Sequence, residues 1–125
     1  MAYKAAGHIV YGYDTDSTIL GYAKLSGVID DVLSPEYYSA CDLIILAATP
    51  KAMIAYLTEN ASAIPSSALV MDICGVKQEI CRVGFEAAAR YGFTFVGGHP
   101  MAGLQYSGFK HARATLFKGA SMIIV

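Results

Sequence analysis

The sequence has little charge and no excess of either sign. Charged residues make up 15% of the 125 positions, and nine basic side chains are balanced by ten acidic ones. A protein that binds nucleic acid through its phosphates needs a basic stripe or patch. The basic residues here are scattered along the chain, so we expect no nucleic-acid partner.

Long hydrophobic runs are also missing. The longest apolar runs, such as LIILAA at 43–48, are far shorter than the roughly 18 residues that cross a bilayer. The N-terminal MAYKAAGH has no apolar core followed by a cleavage site, as a signal peptide would have. We therefore expect a soluble, cytoplasmic protein with no membrane partner and enough apolar residues for the core of one globular domain.

Cysteine is scarce and is not arranged for metal binding. Cys41, Cys74 and Cys81 form no C-x-x-C pair, and no histidine lies near Cys74 or Cys81 in the sequence. An odd number of cysteines in this arrangement favours neither a zinc site nor a disulfide framework. We expect no bound metal, and buried, reduced thiols at Cys41 and Cys81.

Apolar runs of strand length alternate with segments of helical periodicity. The predicted strands are HIVYGYD (8–14), a short VIDD near 28, DLIILAA (42–48), ALVMDIC (68–74), FTFVGG (93–98) and ASMIIV (120–125). Thr49 and Pro50 are a typical helix start, because the first caps the helix and the second lacks an N–H that would have no partner there. Apolar residues then share one face of that helix: Met53, Leu57, Ala61 and Ile64. A second helical spacing of three or four residues follows the strand at 68–74: Val76, Ile80, Val83, Ala87 and Tyr91. This order predicts a doubly wound, mainly parallel α/β sheet of the Rossmann type.

Asp14 closes the first predicted strand. An acidic residue there can accept hydrogen bonds from both ribose hydroxyls of NAD and would repel the 2′-phosphate of NADP. Alternatively, Asp14 only begins the turn DTD, a position where aspartate is favoured, and this explanation is equally good. The fingerprint G-x-G-x-x-G should lie roughly 20 residues earlier, which is ahead of Met1. We therefore expect residues 1–125 to form a single, partial dinucleotide-binding domain without its first strand and glycine-rich loop, ending inside a strand.

The stretch FVGGHPMAG (95–103) places a histidine after two glycines. Gly97 and Gly98 would let the backbone approach a ligand closely, at the end of the strands where open α/β sheets bind ligands. His99 at that point is suited to exchange a proton with a substrate hydroxyl near neutral pH. The alternative is a histidine that only satisfies backbone groups in a tight Gly-Pro turn, and residue chemistry by itself favours that alternative.

The same stretch resembles a known signature. FVGGHPMAG, followed by Ser107-Gly108, Ala112, Leu116-Phe117 and Gly119-Ala120, is similar to the core of the prephenate dehydrogenase family of tyrosine biosynthesis. CDLIILAATP and LVMDICGVKQEI resemble that family's fourth and fifth strands with their loops. The resemblance implies a Rossmann domain, NAD as cofactor in preference to NADP, and oxidative decarboxylation of prephenate to 4-hydroxyphenylpyruvate, or of the related arogenate.

Roles for individual residues follow from the resemblance. His99 would accept the proton of the substrate hydroxyl as hydride leaves the ring carbon. The implied cofactor-binding residues are Asp14 at the ribose, Ala47, Ala48 and Thr49 along the cofactor, and Cys74 and Gly75 beside the nicotinamide. Thr49 is equally well explained as a helix cap. Lys77 is better explained as a solvated residue of a first helical turn.

The chain departs from the family pattern at several points. Cys74-Gly75 replaces a Gly-Ser pair, which removes a hydroxyl that would bind the catalytic histidine, and Gln105 stands where an acidic residue is usual. The family's C-terminal helical domain supplies a substrate-binding arginine and much of a dimer interface, and it lies outside these residues. We therefore expect a small-molecule substrate, a homo-oligomer, and weak or no turnover by this chain alone.

Two other classes of protein stay open. A non-catalytic remnant could bind a nucleotide or a partner chain through an exposed sheet edge. A phosphorylated receiver domain is also a doubly wound sheet, and Asp14 and Asp72 would have to form its acidic site. GGHPMAG has no place in a receiver domain, so this interpretation ranks last.

Overall fold

The elements alternate between strands and helices. The computed structural model describes residues 1–106 and 108–125; Ser107, part of the signature above, lies outside the described residues. The elements are α1 (Ala2–Ala5), β1 (Tyr11–Gly12), α2 (Ser17–Leu25), β2 (Asp31–Val32), β3 (Leu43–Leu46), α3 (Pro50–Asn60), β4 (Leu69–Asp72), α4 (Gln78–Tyr91), β5 (Thr94–Pro100) and β6 (Met122–Ile124). They form a first unit, Met1–Tyr37 with Ala102–Ala120, and a second unit, Tyr38–Met101 with Ser121–Val125.

The first unit contains a short parallel pair of strands. β1 pairs with β2 over two residues, so the strand predicted over residues 8–14 is much shorter than its sequence pattern indicates. The strand ends early because the carboxylate of Asp14 accepts the amide N–H of Asp16 and turns the chain. Asp16 then caps α2, since its Oδ1 accepts the amide N–H of Thr18 at 2.8 Å.

The second unit is built on a four-stranded sheet in the order β3-β4-β5-β6. The first three strands are parallel, and β6 is antiparallel to β5. Leu46, Asp72 and Gly97 are neighbours in the sheet register, so the carboxyl ends of β3 and β4 meet β5 at one edge. The predicted mainly parallel α/β sheet is confirmed.

Helix α3 packs against α4 and buries the face that its periodicity predicts. Thr49 and Pro50 begin the helix, and the Thr49 hydroxyl accepts the amide N–H of Ala52 at 3.4 Å. The four residues predicted to share one apolar face are all buried: Met53, Leu57, Ala61 and Ile64. Ala61 and Ile64 lie beyond the end of α3 at Asn60, so the helix is shorter than its apolar spacing indicates. Because both signals are local to the helix, the sequence predicts this element well.

Helix α4 begins later than its apolar pattern indicates. The pattern places Val76 on the buried face with Ile80, but α4 starts at Gln78 and Val76 is 70% exposed. Ile80 is fully buried, as predicted. The prediction for Val76 is wrong because the residue lies in the loop that leads from β4 to the helix, where helical spacing has no meaning.

Gly84 is the point of closest approach between α4 and β5. A Cβ atom at this position would lie 2.3–2.5 Å from ring atoms of Phe95, which is itself buried. We expect Gly84→Ala to lower the free energy of unfolding by about 1–3 kcal/mol, because overpacking outweighs the better helix propensity of alanine. Urea denaturation followed by circular dichroism measures this.

Gly21 in α2 provides the control. A Cβ atom there would meet nothing within 4 Å, so Gly21→Ala should stabilise the chain by about 0.5–1 kcal/mol. Equal effects of the two alanine substitutions would show that the contact with Phe95 does not determine the packing of α4.

Candidate active site

The loops at the carboxyl ends of β3 and β4 carry most of the residues singled out from the sequence. Ala47, Ala48 and Thr49 follow β3 and are exposed, while Cys74 and Gly75 follow β4. Parallel strands of one sheet bring their carboxyl ends to one edge, which is where such sheets bind ligands. The predicted site residues of the second unit therefore share one edge with the end of β5.

His99 lies at that edge against Gly75. A Cβ atom added to Gly75 would lie 3.5 Å from both Cε1 and Nε2 of the His99 ring, and the side chain of His99 is only half-buried. His99 belongs to strand β5, where it pairs with Ile123 of β6. The alternative in which His99 sits in a tight Gly-Pro turn is therefore wrong.

The two glycines before His99 face protein atoms. A Cβ atom on Gly97 would lie 2.7 Å from Sγ of Cys81, and one on Gly98 would lie 2.8 Å from the carbonyl oxygen of Asp72. Both glycines are buried. Close packing against α4 and β4 accounts for these glycines, and the close approach of a ligand predicted from the sequence is not the reason for them.

A buried ion pair lies beneath this edge. Asp72 is 0% exposed, and its Oδ2 accepts hydrogen bonds from Nζ of Lys77 at 2.5 Å and from the amide N–H of Cys74 at 3.1 Å. Lys77 also donates to the carbonyl oxygen of Gly98. The interpretation of Lys77 as a solvated residue is wrong, because only 17% of its side chain is exposed.

The burial of Asp72 has two consequences. Its Oδ1 has no hydrogen-bond partner in the described part of the chain, which is a costly arrangement for a buried polar atom. A phosphoacceptor aspartate must be accessible, so the receiver-domain interpretation is excluded. Neither consequence could be read from the sequence, because a strand-end aspartate is usually accessible in such folds.

The thiol of Cys74 is protonated at this edge. Burial raises the pKa of Cys74, and the neighbouring carboxylate of Asp72 raises it further. The thiol donates to the carbonyl oxygen of Val76 at 2.9 Å. A neutral thiol with its proton engaged is a poor nucleophile, so Cys74 can line a ligand site but is not suited to covalent chemistry.

Asp14 belongs to the first unit, where it borders a cavity of about 250 Å³. Its carboxylate accepts the amide N–H of Asp16 at 2.9 Å, which confirms the turn that we considered from the sequence. One such bond leaves a carboxylate able to accept others. Most of the cavity lining is apolar and includes Ile19, Leu20, Ala23, Val28 and Ile29.

Two kinds of feature are not found in residues 1–106 and 108–125. No helix there is long and apolar enough to cross a membrane. No group of three or more histidine, cysteine, aspartate or glutamate side chains in the same ranges is placed to hold a metal ion.

Comparisons with solved structures support the fold. Prephenate dehydrogenase from Aquifex aeolicus superimposes with a TM-score of 0.82 at 24% identity, over 98% of this chain and 45% of that one. The same enzyme in complex with hydroxyphenyl propionate and NAD⁺ gives a TM-score of 0.81 at 24% identity, over 98% and 44% of the two chains. Arogenate dehydrogenase from Synechocystis gives 0.85 at 22% identity, over 98% and 43%.

These likenesses confirm the Rossmann-like fold, and the chain spans less than half the length of the proteins that it matches. The family model described as prephenate dehydrogenase, nucleotide-binding domain, matches residues 1–125. That match includes both GGHPMAG and the loop that carries Cys74 and Gly75. The chain belongs to the family of prephenate dehydrogenase nucleotide-binding domains.

Proposed function

We propose that the chain is the nucleotide-binding part of an NAD-dependent enzyme that converts prephenate to 4-hydroxyphenylpyruvate by oxidative decarboxylation, with arogenate as the second candidate substrate. Membership of the family supports the reaction class. One observation carries the proposal: the half-buried ring of His99 lies against Gly75 at the ligand-binding edge of a parallel sheet. A titratable group in that place is suited to proton transfer.

Each unit, taken by itself, carries residues of the kinds that bind parts of an NAD molecule. The Aquifex relative binds NAD⁺ in its solved complex. In this chain the cavity beside Asp14 is apolar enough for an aromatic base, and the carboxylate can accept hydrogen bonds from ribose hydroxyls. In the second unit, exposed Ala47 and Ala48 have no bulky side chains to obstruct a cofactor, and Thr49, Cys74 and Gly75 are the other proposed contacts. When bound, NAD supplies the acceptor for the hydride.

His99 is proposed to receive the proton. As the ring carbon that bears the hydroxyl loses hydride, the hydroxyl oxygen must release its proton, and a neutral imidazole accepts it. The bond between the carboxylate and the opposite ring carbon breaks, its electron pair enters the ring, and carbon dioxide leaves. The phenolate oxygen that results takes back the proton held by His99. The product ring is aromatic, so the protein's main contributions are to position the substrate and to hold this proton acceptor.

Gly75 offers a gain-of-function prediction. A serine there would place its Cβ at an ordinary contact distance of 3.5 Å from Nε2 of His99, and its hydroxyl could then hydrogen-bond the ring. We expect Gly75→Ser to raise the single-turnover rate several-fold, because one added hydrogen bond to the ring would lower the activation barrier by about 0.5–1.5 kcal/mol. Gly75→Ala is the matched control, because it adds the Cβ without the hydroxyl. An equal gain from both variants would contradict the role of the hydroxyl.

A single-turnover experiment tests the proposed function. The chain is held in excess over prephenate with saturating NAD, so that even slow product formation is detected, and NADH and 4-hydroxyphenylpyruvate are quantified together. We expect one of each per prephenate consumed, and a slower reaction with NADP because Asp14 repels its 2′-phosphate. A folded chain that binds neither NAD nor prephenate would contradict the proposal, whereas slow or absent product formation agrees with the weak or absent turnover expected of this chain alone.

Partner binding through a sheet edge is the second candidate function. Within the described residues, β3 has a hydrogen-bonded strand on one side only. Unpaired strand edges can accept an extended segment from another chain. Light scattering distinguishes the two candidates, because a partner-binding role through this edge requires self-association or capture of an added strand peptide, whereas NAD binding does not.

A further inference from the structure

The Asp72–Lys77 pair connects the two segments whose contact defines the candidate active site. On one side, the carboxylate of Asp72 accepts the amide N–H of Cys74, the residue before Gly75. On the other side, Nζ of Lys77 donates to the carbonyl oxygen of Gly98, the residue before His99. A single ion pair therefore reaches the backbone immediately ahead of both members of the Gly75–His99 contact.

We propose that Lys77 is a positioning residue that, through Asp72, sets the distance between the His99 ring and Gly75. The Gly98 carbonyl belongs to the peptide that leads into His99, so a bond to it restrains the direction in which β5 presents the ring. Hydrogen bonds to ionised groups are the stronger ones and have well-defined geometry. The catalytic consequence of this inference rests on the proposed function; the restraint on geometry does not.

The location of the pair argues for a purpose beyond stability. Removing a carboxylate from water is costly, and a buried ion pair is often no more stable than apolar residues of the same volume. Here the cost is raised further by the unpartnered Oδ1 of Asp72 and by the position of Lys77 at the N-terminus of α4, where a cation is unfavourable. If the pair only stabilised the fold, the Gly75–His99 contact would stay unchanged when both charges are removed.

Proton NMR measures the contact directly. A Cβ atom on Gly75 would lie 3.5 Å from Cε1 of His99, so the Gly75 α-proton that points in this direction should show a nuclear Overhauser effect with the His99 Hε1 proton in the wild-type chain. The informative variant is Lys77→Met combined with Asp72→Asn, which removes both charges and avoids leaving one of them buried alone. Lys77→Arg keeps a charged donor at this position. Lys51 is an exposed lysine of α3, and Lys51→Met is the control.

The inference predicts that the Overhauser effect is lost or strongly weakened in the folded double variant, and that it is retained in Lys77→Arg and Lys51→Met. The single-turnover rate should fall about 10- to 100-fold in the double variant, since small misplacements of reacting groups have effects of that order. An unchanged Overhauser effect in the double variant would overturn the inference. If the effect is lost but the wild-type chain binds neither NAD nor prephenate, the positioning holds and the proposed function fails.

Discussion

Replacing His99 by glutamine should lower the single-turnover rate of prephenate oxidation about 100-fold or more. A positioned general base contributes about 10²–10⁴-fold to such reactions, and glutamine can form hydrogen bonds but cannot accept the proton. The fold should survive, because His99 pairs with β6 through its backbone and its side chain is only half-buried. Product formation by rapid quench and chromatography measures the rate.

His8→Gln is the matched control for this substitution. His8 is an exposed histidine of the first unit whose ring contacts Tyr3, and its replacement should leave the rate unchanged. Calorimetric titration with NAD should give the same affinity for wild type and for His99→Gln, since the proposed role of His99 concerns the substrate hydroxyl. A His99→Gln variant that retains the wild-type rate would contradict the assignment of the proton acceptor.

Replacing Lys77 by methionine should lower the free energy of unfolding by about 3–5 kcal/mol. The methionine has a similar shape, but it leaves the fully buried carboxylate of Asp72 without its charged partner. Combining it with Asp72→Asn should recover most of this loss, because an uncharged pair has no large desolvation cost. Urea denaturation of the four chains forms a double-mutant cycle.

Lys24→Met provides the matched surface control. Lys24 pairs with Asp31 at 2.6 Å, nearly the distance of the buried pair, but the two side chains are 52% and 40% exposed. Exposed pairs contribute about 0.2–1 kcal/mol, so this substitution should have a small effect. A loss for Lys77→Met no larger than that for Lys24→Met would show that the burial of Asp72 does not determine the strength of its pairing.

The parts of the fold that depend on local signals could be predicted from the sequence. Thr49 and Pro50 define the start of α3 because capping involves only neighbouring residues. The buried face of α3 follows from a periodicity within one helix. The order of apolar runs was sufficient for the parallel sheet of the second unit, since strands that alternate with helices along the chain favour parallel pairing.

The parts that depend on contacts between distant segments could not be predicted. Lys77 is five residues from Asp72 and 21 from Gly98, and no sequence rule indicates that one ammonium group meets both. The reason for Gly97 and Gly98 likewise lies in atoms of Cys81 and Asp72. The strand predicted over residues 8–14 is shortened by a side-chain bond to the turn that follows it.

Within the candidate site, the sequence identified His99 but not its surroundings. The half-buried position of His99 and its contact with Gly75 follow from the register of β4 and β5, which a single sequence does not encode visibly. The missing hydroxyl at Gly75 was recognised only by resemblance to the family. The structure adds the distance between position 75 and the His99 ring. This distance shows that a serine hydroxyl at position 75 could reach the ring.

An NMR titration of the isotope-labelled chain with NAD tests the central claim, that His99 lies at a nucleotide-binding edge formed by the loops after β3 and β4. We predict saturable shifts of the resonances of Ala47, Ala48, Thr49, Gly75 and His99 that fit one dissociation constant. We also predict that prephenate, added after NAD, shifts the His99 ring resonances further. Binding of NAD, established by calorimetry, that leaves all of these resonances unmoved would contradict the claim.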